Sequence, residues 1–234
     1  MTQESGGGLK VSVIVAAFNQ ERFIGRCLRS LLRQTLPHEQ YEVVVVNDGS
    51  TDRTGYALEL FHDSIRVVTN PKNRGLPASL NTGLQAARAP LVVRVDADDF
   101  VNAHFLTVLS LYLDMNPDAD AVACDYLLID DNEQTLERVS CAERPIACGI
   151  MFRSTQLFEI GLYDETFLRH EEREMRIRFE HRYSIRRLEF PLYRYRRHHN
   201  NITNDTTEMD RFEQQLVRKH GLQPAQRNLG RESS

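Results

Sequence analysis

The sequence predicts an α/β domain with a mostly parallel central sheet and helices on both of its faces. Two observations predict this class. Apolar strand patterns alternate with helical patterns through the first half of the chain, which is typical of parallel strands joined by helices. The chain has 234 residues, 41% of them hydrophobic and 26% charged, which is enough to bury the core of one globular domain.

The elements of the first half follow from the period of the apolar residues. Unbroken runs rich in Val predict strands, and apolar residues three or four positions apart predict helices. Predicted strands cover 11–17, 41–46, 65–69 and 91–95. Predicted helices cover 21–35 and 77–87, and a further helix ends near 61. Three strand–helix repeats in one direction imply a parallel sheet.

The second half has a less regular pattern. It predicts a helix at 103–115, a strand at 119–124, a polar hairpin at 127–139, a strand at 146–152 and a helix at 169–182. The last elements are expected to be a pair of short strands, 184–190 and 192–197, separated by Pro191. We expect one domain over 10–220, a flexible leader at 1–9 and a flexible tail at 221–234.

Composition excludes several classes of protein. No run approaches the about 18 apolar residues of a spanning helix, and the start lacks a basic-then-apolar signal, so we expect a cytoplasmic protein. The four cysteines lack CxxC spacing and are expected to be structural thiols. Net charge is −4, but residues 169–199 hold ten Arg and four His, which suggests an anionic ligand. Mild acidity and the lack of a nucleic-acid module argue against nucleic acid.

The most informative segment is the strand at 91–95, which ends in three carboxylates within four positions. Asp96, Asp98 and Asp99 repel each other unless a cation lies among them, and hard cations such as Mg²⁺ or Mn²⁺ bind carboxylate oxygens. A plain acidic loop is the alternative. Ligands of parallel sheets bind outside the carboxyl ends of the strands, so Phe18, Asp48 and the acidic turn are expected around one crevice.

The end of the first strand excludes two large classes of nucleotide-binding protein. The segment 16–19 contains no GxGxxG turn, which argues against a dinucleotide-dependent oxidoreductase, and a Walker A sequence is absent as well. What remains is a nucleotide crevice without a glycine loop, in which a metal neutralises the phosphates.

Four segments in this order resemble the motifs of family 2 glycosyltransferases of the GT-A fold: 11–19, 46–52, 73–75 with 81–83, and 96–99, the last being a DxD motif. The resemblance implies an inverting hexosyltransferase with a nucleoside-diphosphate sugar as donor, UDP being favoured, and an acceptor hydroxyl. It also implies Mn²⁺ or Mg²⁺ as cofactor and a role in bacterial cell-surface polysaccharide or glycolipid synthesis. A smaller mixed sheet is expected on the acceptor side.

The resemblance assigns roles residue by residue. The nucleotide-binding residues it implies are Ala16, Phe18, Asn19, Asp48, Arg74, Asp96 and Ala97. The metal ligands it implies are Asp98, Asp99 and a late histidine, with His198 preferred. For Asp48 the alternative role is a helix N-cap.

The segment from His170 to Arg178 resembles the family helix whose second acid is the general base, here Glu172, preceded by Glu171. Removal of the proton from the acceptor hydroxyl requires one carboxylate near that hydroxyl. The family usually has Asp at the position of Glu172, and the extra methylene of Glu changes how far the carboxylate extends from the helix. A solvated helix face, with pairs such as Glu172 to Arg176, is the alternative.

The resemblance also divides the domain, with donor binding in 10–100 and acceptor binding in 101–220. The acceptor is expected to be a glycan or a lipid-linked glycan, and the Arg-rich part suits peripheral contact with the inner membrane face. An oligomer is compatible with the sequence. Two alternatives stay open. One is a nucleotide-sugar binding module without turnover, which is plausible because Glu172 replaces the usual Asp and Leu80 stands where many relatives carry Arg. The other is a sugar nucleotidyltransferase, which normally needs a glycine-rich basic loop after the first strand.

Overall fold

The computed structural model of the protein describes residues 8–197 and 206–222. Its strands are β1 Val11–Ala17, β2 Tyr41–Asp48, β3 Arg66–Asn70, β4 Leu91–Arg94, β5 Phe100–Val101, β6 Ala121–Ile129, β7 Thr135–Val139, β8 Ile150–Arg153 and β9 Ile185–Arg196. Its helices are α1 Ile24–Leu31, α2 Thr54–Glu59, α3 Leu76–Ala86, α4 Phe105–Met115, α5 Ser154–Glu159, α6 Glu171–Glu180 and α7 Thr206–His220.

The strands form one sheet in the order β3-β2-β1-β4-β8-β6-β9-β5, with β7 paired to β6. Strands β3, β2, β1 and β4 are parallel, as predicted. Strand β8 is antiparallel to both β4 and β6, and β9 runs parallel to β6. The predicted α/β class is therefore confirmed, and the smaller mixed part is hydrogen-bonded to the parallel part through β8.

The core lies on both faces of this sheet because alternate strand residues point to opposite sides. Val13 and Val15 pack in the cluster that includes α1 and α4, whereas Ile14 packs in the cluster that includes α3 and α6. Helix α3 lies very close to the sheet at Gly83, where an added Cβ would collide with the side chain of Ile14. This close packing holds α3 against the middle of β1.

The predicted pair of short strands around Pro191 is wrong, because β9 is one strand. Its pairing with β6 shifts between Cys124, which is opposite Leu188, and Asp125, which is opposite Pro191. A bulge leaves residues unpaired, and proline lacks the amide hydrogen that pairing would use, so the pairing register shifts at Pro191 and the strand continues.

Two helices were not predicted, α5 and α7. The sequence does contain a signal for α7, because Met209, Phe212 and Leu216 recur at helical spacing between charged residues. The four cysteines are buried free thiols, as expected. Among the described residues, no helix is both long enough and apolar enough to cross a membrane.

Candidate functional site

A crevice runs along the carboxyl ends of β1, β2 and β4 and has two adjoining parts. The acidic cleft is lined by the turn after β4 and the start of α6, including Asp96, Ala97, Asp98, Asp99, Glu171 and Glu172. The strand-end cleft is lined by the ends of β1 and β2, including Phe18, Asn19 and Asp48. Both parts share Ala16 and Leu76 in their walls, so they are neighbours along one edge of the sheet.

Asp48 holds the loop that leads into α3. It is 3% exposed, and its carboxylate accepts hydrogen bonds from the backbone N–H groups of Arg74 and Gly75, both at 3.0 Å. The side-chain amide of Asn70 donates to it at 2.7 Å. Asp48 therefore does not cap the helix that follows it, α2. The carboxylate of Asp52 accepts the hydrogen bond from the first N–H of that helix, at Thr54.

The end of β1 shapes the other wall of the strand-end cleft. Phe18 is 41% exposed, which leaves an aromatic face open to the cleft. Asn19 has a left-handed backbone, with φ 53°, and its side-chain oxygen accepts the N–H of Thr51 at 2.9 Å. Asn19 thereby ties the loop after β2 to the end of β1. The guanidinium of Arg74, by contrast, lies 3.5 Å from Glu165.

The acidic turn is held by β9. Asp99 is 2% exposed, and its two oxygens accept hydrogen bonds from the Tyr193 hydroxyl at 2.8 Å and the Arg196 N–H at 2.7 Å. The same hydroxyl accepts the N–H of Asp96 at 3.0 Å. Burial raises the pKa of Asp99 well above its usual range, and the carboxylates of Asp98 and Asp96 raise it further.

Arg94 is the buried cation of the site. It lies at the end of β4, its Nε donates to Asp96 Oδ1 at 2.6 Å, and its Nη1 donates to Glu171 Oε1 at 3.0 Å. Burial raises the pKa of Glu171 to about 7, although the charge of Arg94 opposes this. One guanidinium thus connects the acidic turn to the first residue of α6.

The donor set of the acidic cleft fits a hard divalent cation. Ligand atoms of Asp96, Asp99 and Cys148 lie within 4.8 Å of one another, and half-buried Asp98 lines the same cleft. Burial raises the pKa of the Cys148 thiol, and a protonated thiol is a poor partner for Mg²⁺ or Mn²⁺. The three aspartates are therefore the residues that would hold the ion. His198 lies outside the described residues.

Glu172 lines the acidic cleft from α6. Within the described part of the chain its carboxylate makes no hydrogen bond or ion pair, and the expected pair with Arg176 does not form. A pair with the same spacing does form between Glu174 and Arg178, whose Nε lies 2.8 Å from Glu174 Oε1. Glu174 is 0% exposed, so its pairing belongs to the packing of α6, while Glu172 faces the cleft.

A model of glycosyl transferase family 2 matches residues 12–187, about three quarters of the chain. The chain belongs to glycosyl transferase family 2. This confirms the resemblance that the motifs indicated.

Individual family members share part of the chain. An uncharacterized glycosyltransferase of Bacillus subtilis, EpsJ, is 37% identical over 127 residues, which are 53% of this chain and 36% of the relative. Poly(ribitol-phosphate) beta-N-acetylglucosaminyltransferase TarS of Staphylococcus aureus is 35% identical over 111 residues, 45% of this chain and 19% of the relative. These matches span less than two fifths of the relatives' lengths.

Solved structures show the same fold. The crystal structure of S. aureus TarS 1–349 superposes with a TM-score of 0.73 at 21% identity, covering 90% of this chain and 65% of that one. Mannosyltransferase PcManGT from Pyrobaculum calidifontis, in complex with GDP-Man and Mn²⁺, gives a TM-score of 0.72 at 20% identity, covering 91% and 64%. The GT-A fold of this family 2 chain is thereby confirmed.

The site residues that the sequence did not predict include Arg94, Tyr193 and Met209. A lone arginine in the apolar run of β4 was a usable signal for Arg94, because a buried charge needs partners. Tyr193 gave no such signal, since an aromatic residue is ordinary in a strand. Met209 lines the acidic cleft from α7, a helix that was not predicted from the sequence.

Arg196, at the end of β9, contacts the acidic turn. It is 3% exposed, and its Nε donates to the backbone oxygen of Asp98 at 3.0 Å. Its Nη2 lies 3.2 Å from Glu133. Arg196 therefore holds the acidic turn in place.

Proposed function

We propose that this family 2 protein is a metal-dependent inverting glycosyltransferase that moves a sugar from a nucleoside-diphosphate sugar to an acceptor hydroxyl. One observation carries the proposal. Glu172, without a partner among the described residues, faces the same cleft as Asp96, Asp98 and Asp99. The same cleft then contains a carboxylate that can act as the base and three carboxylates that can hold a cation bound to the diphosphate.

The donor is inferred from the structural neighbours. TarS has crystal structures in complex with UDP and with UDP-GlcNAc, and PcManGT has one with GDP-Man and Mn²⁺. These support a nucleotide-sugar donor and a divalent ion for this chain, and we favour UDP. The nucleotide-binding residues would be Ala16, Phe18, Asn19, Asp48, Arg74, Asp96 and Ala97, with the base against Phe18 in the strand-end cleft.

The proposed reaction has two parts: the diphosphate departs with its negative charge, and the acceptor hydroxyl loses its proton. A divalent cation, when bound, would supply the positive charge that stabilises the departing diphosphate. Asp98, with Asp96 and Asp99, would hold that ion, and His198 remains our candidate for a further ligand. Glu172 would accept the proton of the acceptor hydroxyl while Glu171, held by Arg94, fixes the start of α6.

The acceptor side is proposed from charge and from the names of relatives. Two of them are poly(ribitol-phosphate) transferases, which supports a role in bacterial cell-surface polysaccharide or glycolipid synthesis. Exposed arginines of this segment, among them Arg182, Arg186 and Arg197, suit a glycan or lipid-linked acceptor at the inner membrane face. We propose a cytoplasmic protein with one domain over 10–220, in contact with that face.

A thermal-shift titration with UDP and Mn²⁺ tests the donor site. The wild-type protein should be stabilised because the ligand binds only the folded state, and Asp98→Asn should lose the Mn²⁺-dependent part of the shift. Asp118→Asn, at an exposed aspartate on the loop after α4, should keep the full shift. A full shift in Asp98→Asn would contradict the metal assignment.

UDP release from a UDP-sugar, with and without acceptor, tests the base. Glu172→Gln should lower turnover by about 100-fold or more, because general-base catalysis contributes that much, while UDP binding stays unchanged. The control is exposed Glu39→Gln. UDP binding without turnover, unaffected by Glu172→Gln, would favour the binding module. Pyrophosphate release from a nucleoside triphosphate and a sugar phosphate would favour the nucleotidyltransferase.

A further inference from the structure

One charged side chain lies where the acidic cleft and the strand-end cleft adjoin. Of the described residues, those that line both clefts are Ala16, Gln20, Leu76 and Arg169. Arg169 is the only charged residue among them, and it belongs to the segment just before α6. Its neighbour Leu168 packs against the start of α3, because an added Cβ at Gly75 would lie 2.9 Å from Leu168 Cδ2. This contact holds the segment beside both clefts.

The other described basic side chains that line these clefts have carboxylates nearby. In the acidic cleft, Arg94 is paired with two carboxylates, and His170 Nε2 lies 3.7 Å from a carboxylate oxygen of Glu213. In the strand-end cleft, Arg22 Nη2 lies 3.5 Å from Asp131. The positive charge of these groups is therefore at least partly compensated before any ligand binds.

Arg169, by contrast, has no carboxylate partner among residues 8–197 and 206–222. The one hydrogen bond that its guanidinium makes there runs from Nη1 to the backbone oxygen of Leu168, at 2.9 Å. Its Nε is buried and has no acceptor in this part of the chain. A buried N–H group without an acceptor costs free energy, so a ligand that supplies an acceptor would be favoured, and an anionic ligand most of all.

We propose that Arg169 binds the diphosphate of the nucleotide-sugar donor. The inference rests on the proposed function, in which the base lies against Phe18 and the cation lies at Asp98. Phe18 lines the strand-end cleft and Asp98 lines the acidic cleft, so a donor in that position crosses the boundary that Arg169 lines. The diphosphate is the part of the donor between the base and the sugar, and a guanidinium can donate two parallel hydrogen bonds to phosphate oxygens.

Calorimetric titration in saturating Mn²⁺ tests this contact with UDP and uridine, two probes that differ only in the diphosphate. Arg169→Gln should weaken UDP binding about tenfold, because it removes charge-assisted hydrogen bonds to phosphate, and should leave uridine binding unchanged. Arg169→Lys should recover part of the UDP affinity, since it keeps the charge but loses the paired N–H groups. A loss shared by UMP would place Arg169 at the α phosphate, and a loss limited to UDP would place it at the β phosphate.

Arg176→Gln is the matched control, because it removes the same charge from α6 at a residue that lines neither of the two clefts. At physiological salt it should change UDP affinity by less than about twofold, since charges that do not contact the ligand are screened. Unliganded Arg169→Gln should keep the wild-type melting temperature, because the only described hydrogen bond of the Arg169 guanidinium goes to the neighbouring residue.

Two results would overturn the inference. One is a UDP affinity that Arg169→Gln leaves unchanged, and the other is an equal loss for UDP and uridine, which would indicate a structural role for Arg169. If the wild-type protein binds GDP but not UDP, then GDP, GMP and guanosine replace the uridine probes. Failure of the wild-type protein to bind either diphosphate would instead overturn the proposed donor function, so the two failures are distinguishable.

Discussion

Arg94 shows how a single side chain makes a buried acidic site stable. Three aspartates and Glu171 surround one cleft, and two of these groups, Asp99 and Glu171, are buried. Arg94 donates to Asp96 and to Glu171 at the same time, so one positive charge serves two carboxylates. Burial nevertheless raises the pKa of Glu171 to about 7, because it outweighs the opposing charge of Arg94 and is assisted by the charge of Glu172.

This shift predicts a pH dependence of stability. Between pH 4.5 and about 7 the folded protein keeps a proton on Glu171 that the unfolded chain has lost, so the free energy of unfolding falls as pH rises through this range. Relative to Glu171→Gln, the wild-type protein should lose about 1 to 3 kcal/mol between pH 4.5 and 8. Urea unfolding of both proteins in EDTA, without nucleotide, measures the difference.

Exposed Glu143→Gln is the matched control and should keep the wild-type pH dependence. Asp99 also has a raised pKa but is present in all three proteins, so the comparison isolates Glu171. Identical slopes in wild type and Glu171→Gln would show that Arg94 keeps Glu171 ionised throughout.

At the scale of elements, α7 completes the site by packing against α6. Phe212 and Leu216 are buried in a cluster with Phe167, against which Ile177 of α6 packs. Lys219 at the end of α7 lies 2.6 Å from buried Glu174. This packing brings Met209 into the wall of the acidic cleft, so the order of α7 and the shape of the site are linked.

Truncating a buried apolar side chain of α7 should therefore affect both stability and activity. Leu216 is 0% exposed, and Leu216→Ala should lower the free energy of unfolding by about 2 to 4 kcal/mol because it leaves a cavity. UDP release should fall as the wall of the cleft loosens. Leu111→Ala on α4, where the leucine is 51% exposed, is the control and should cost under about 1 kcal/mol. Equal costs in the two variants would contradict the packing of α7.

At the scale of the molecule, the proposed donor and acceptor halves share one sheet. Strand β8, from the second half, is paired with β4 of the first half and with β6. Strand β5, at 100–101, pairs with β9 near the end of the described sheet. Neither half can keep its edge strands paired alone, which supports our proposal of a single domain over 10–220.

A single cooperative unfolding transition should follow from this shared sheet. Far-UV circular dichroism and the near-UV signal of the eight tyrosines, in a chain without tryptophan, should give the same urea midpoint. Hydrogen exchange should give β2 and β6 the same free energy of opening. Separate midpoints for the two strands would show that the halves unfold independently.

The parallel half of the fold and the acidic turn were predictable from the sequence because their signals are local. Val-rich runs form buried strands, and a turn with Asp96, Asp98 and Asp99 needs a counter-charge wherever it lies. The order of four motifs also determined the family. These conclusions depend on residues close together in the chain.

Only the tertiary structure decided which residues donate hydrogen bonds to each carboxylate. The partners of Asp99 and Glu171 lie at Tyr193, Arg196 and Arg94, each separated from its carboxylate by 77 residues or more. The shift of pairing at Pro191 and the docking of α7 likewise result from pairing and packing between distant segments. Residue order specifies which groups are present, whereas burial and contact, which depend on the whole fold, decide what each group does.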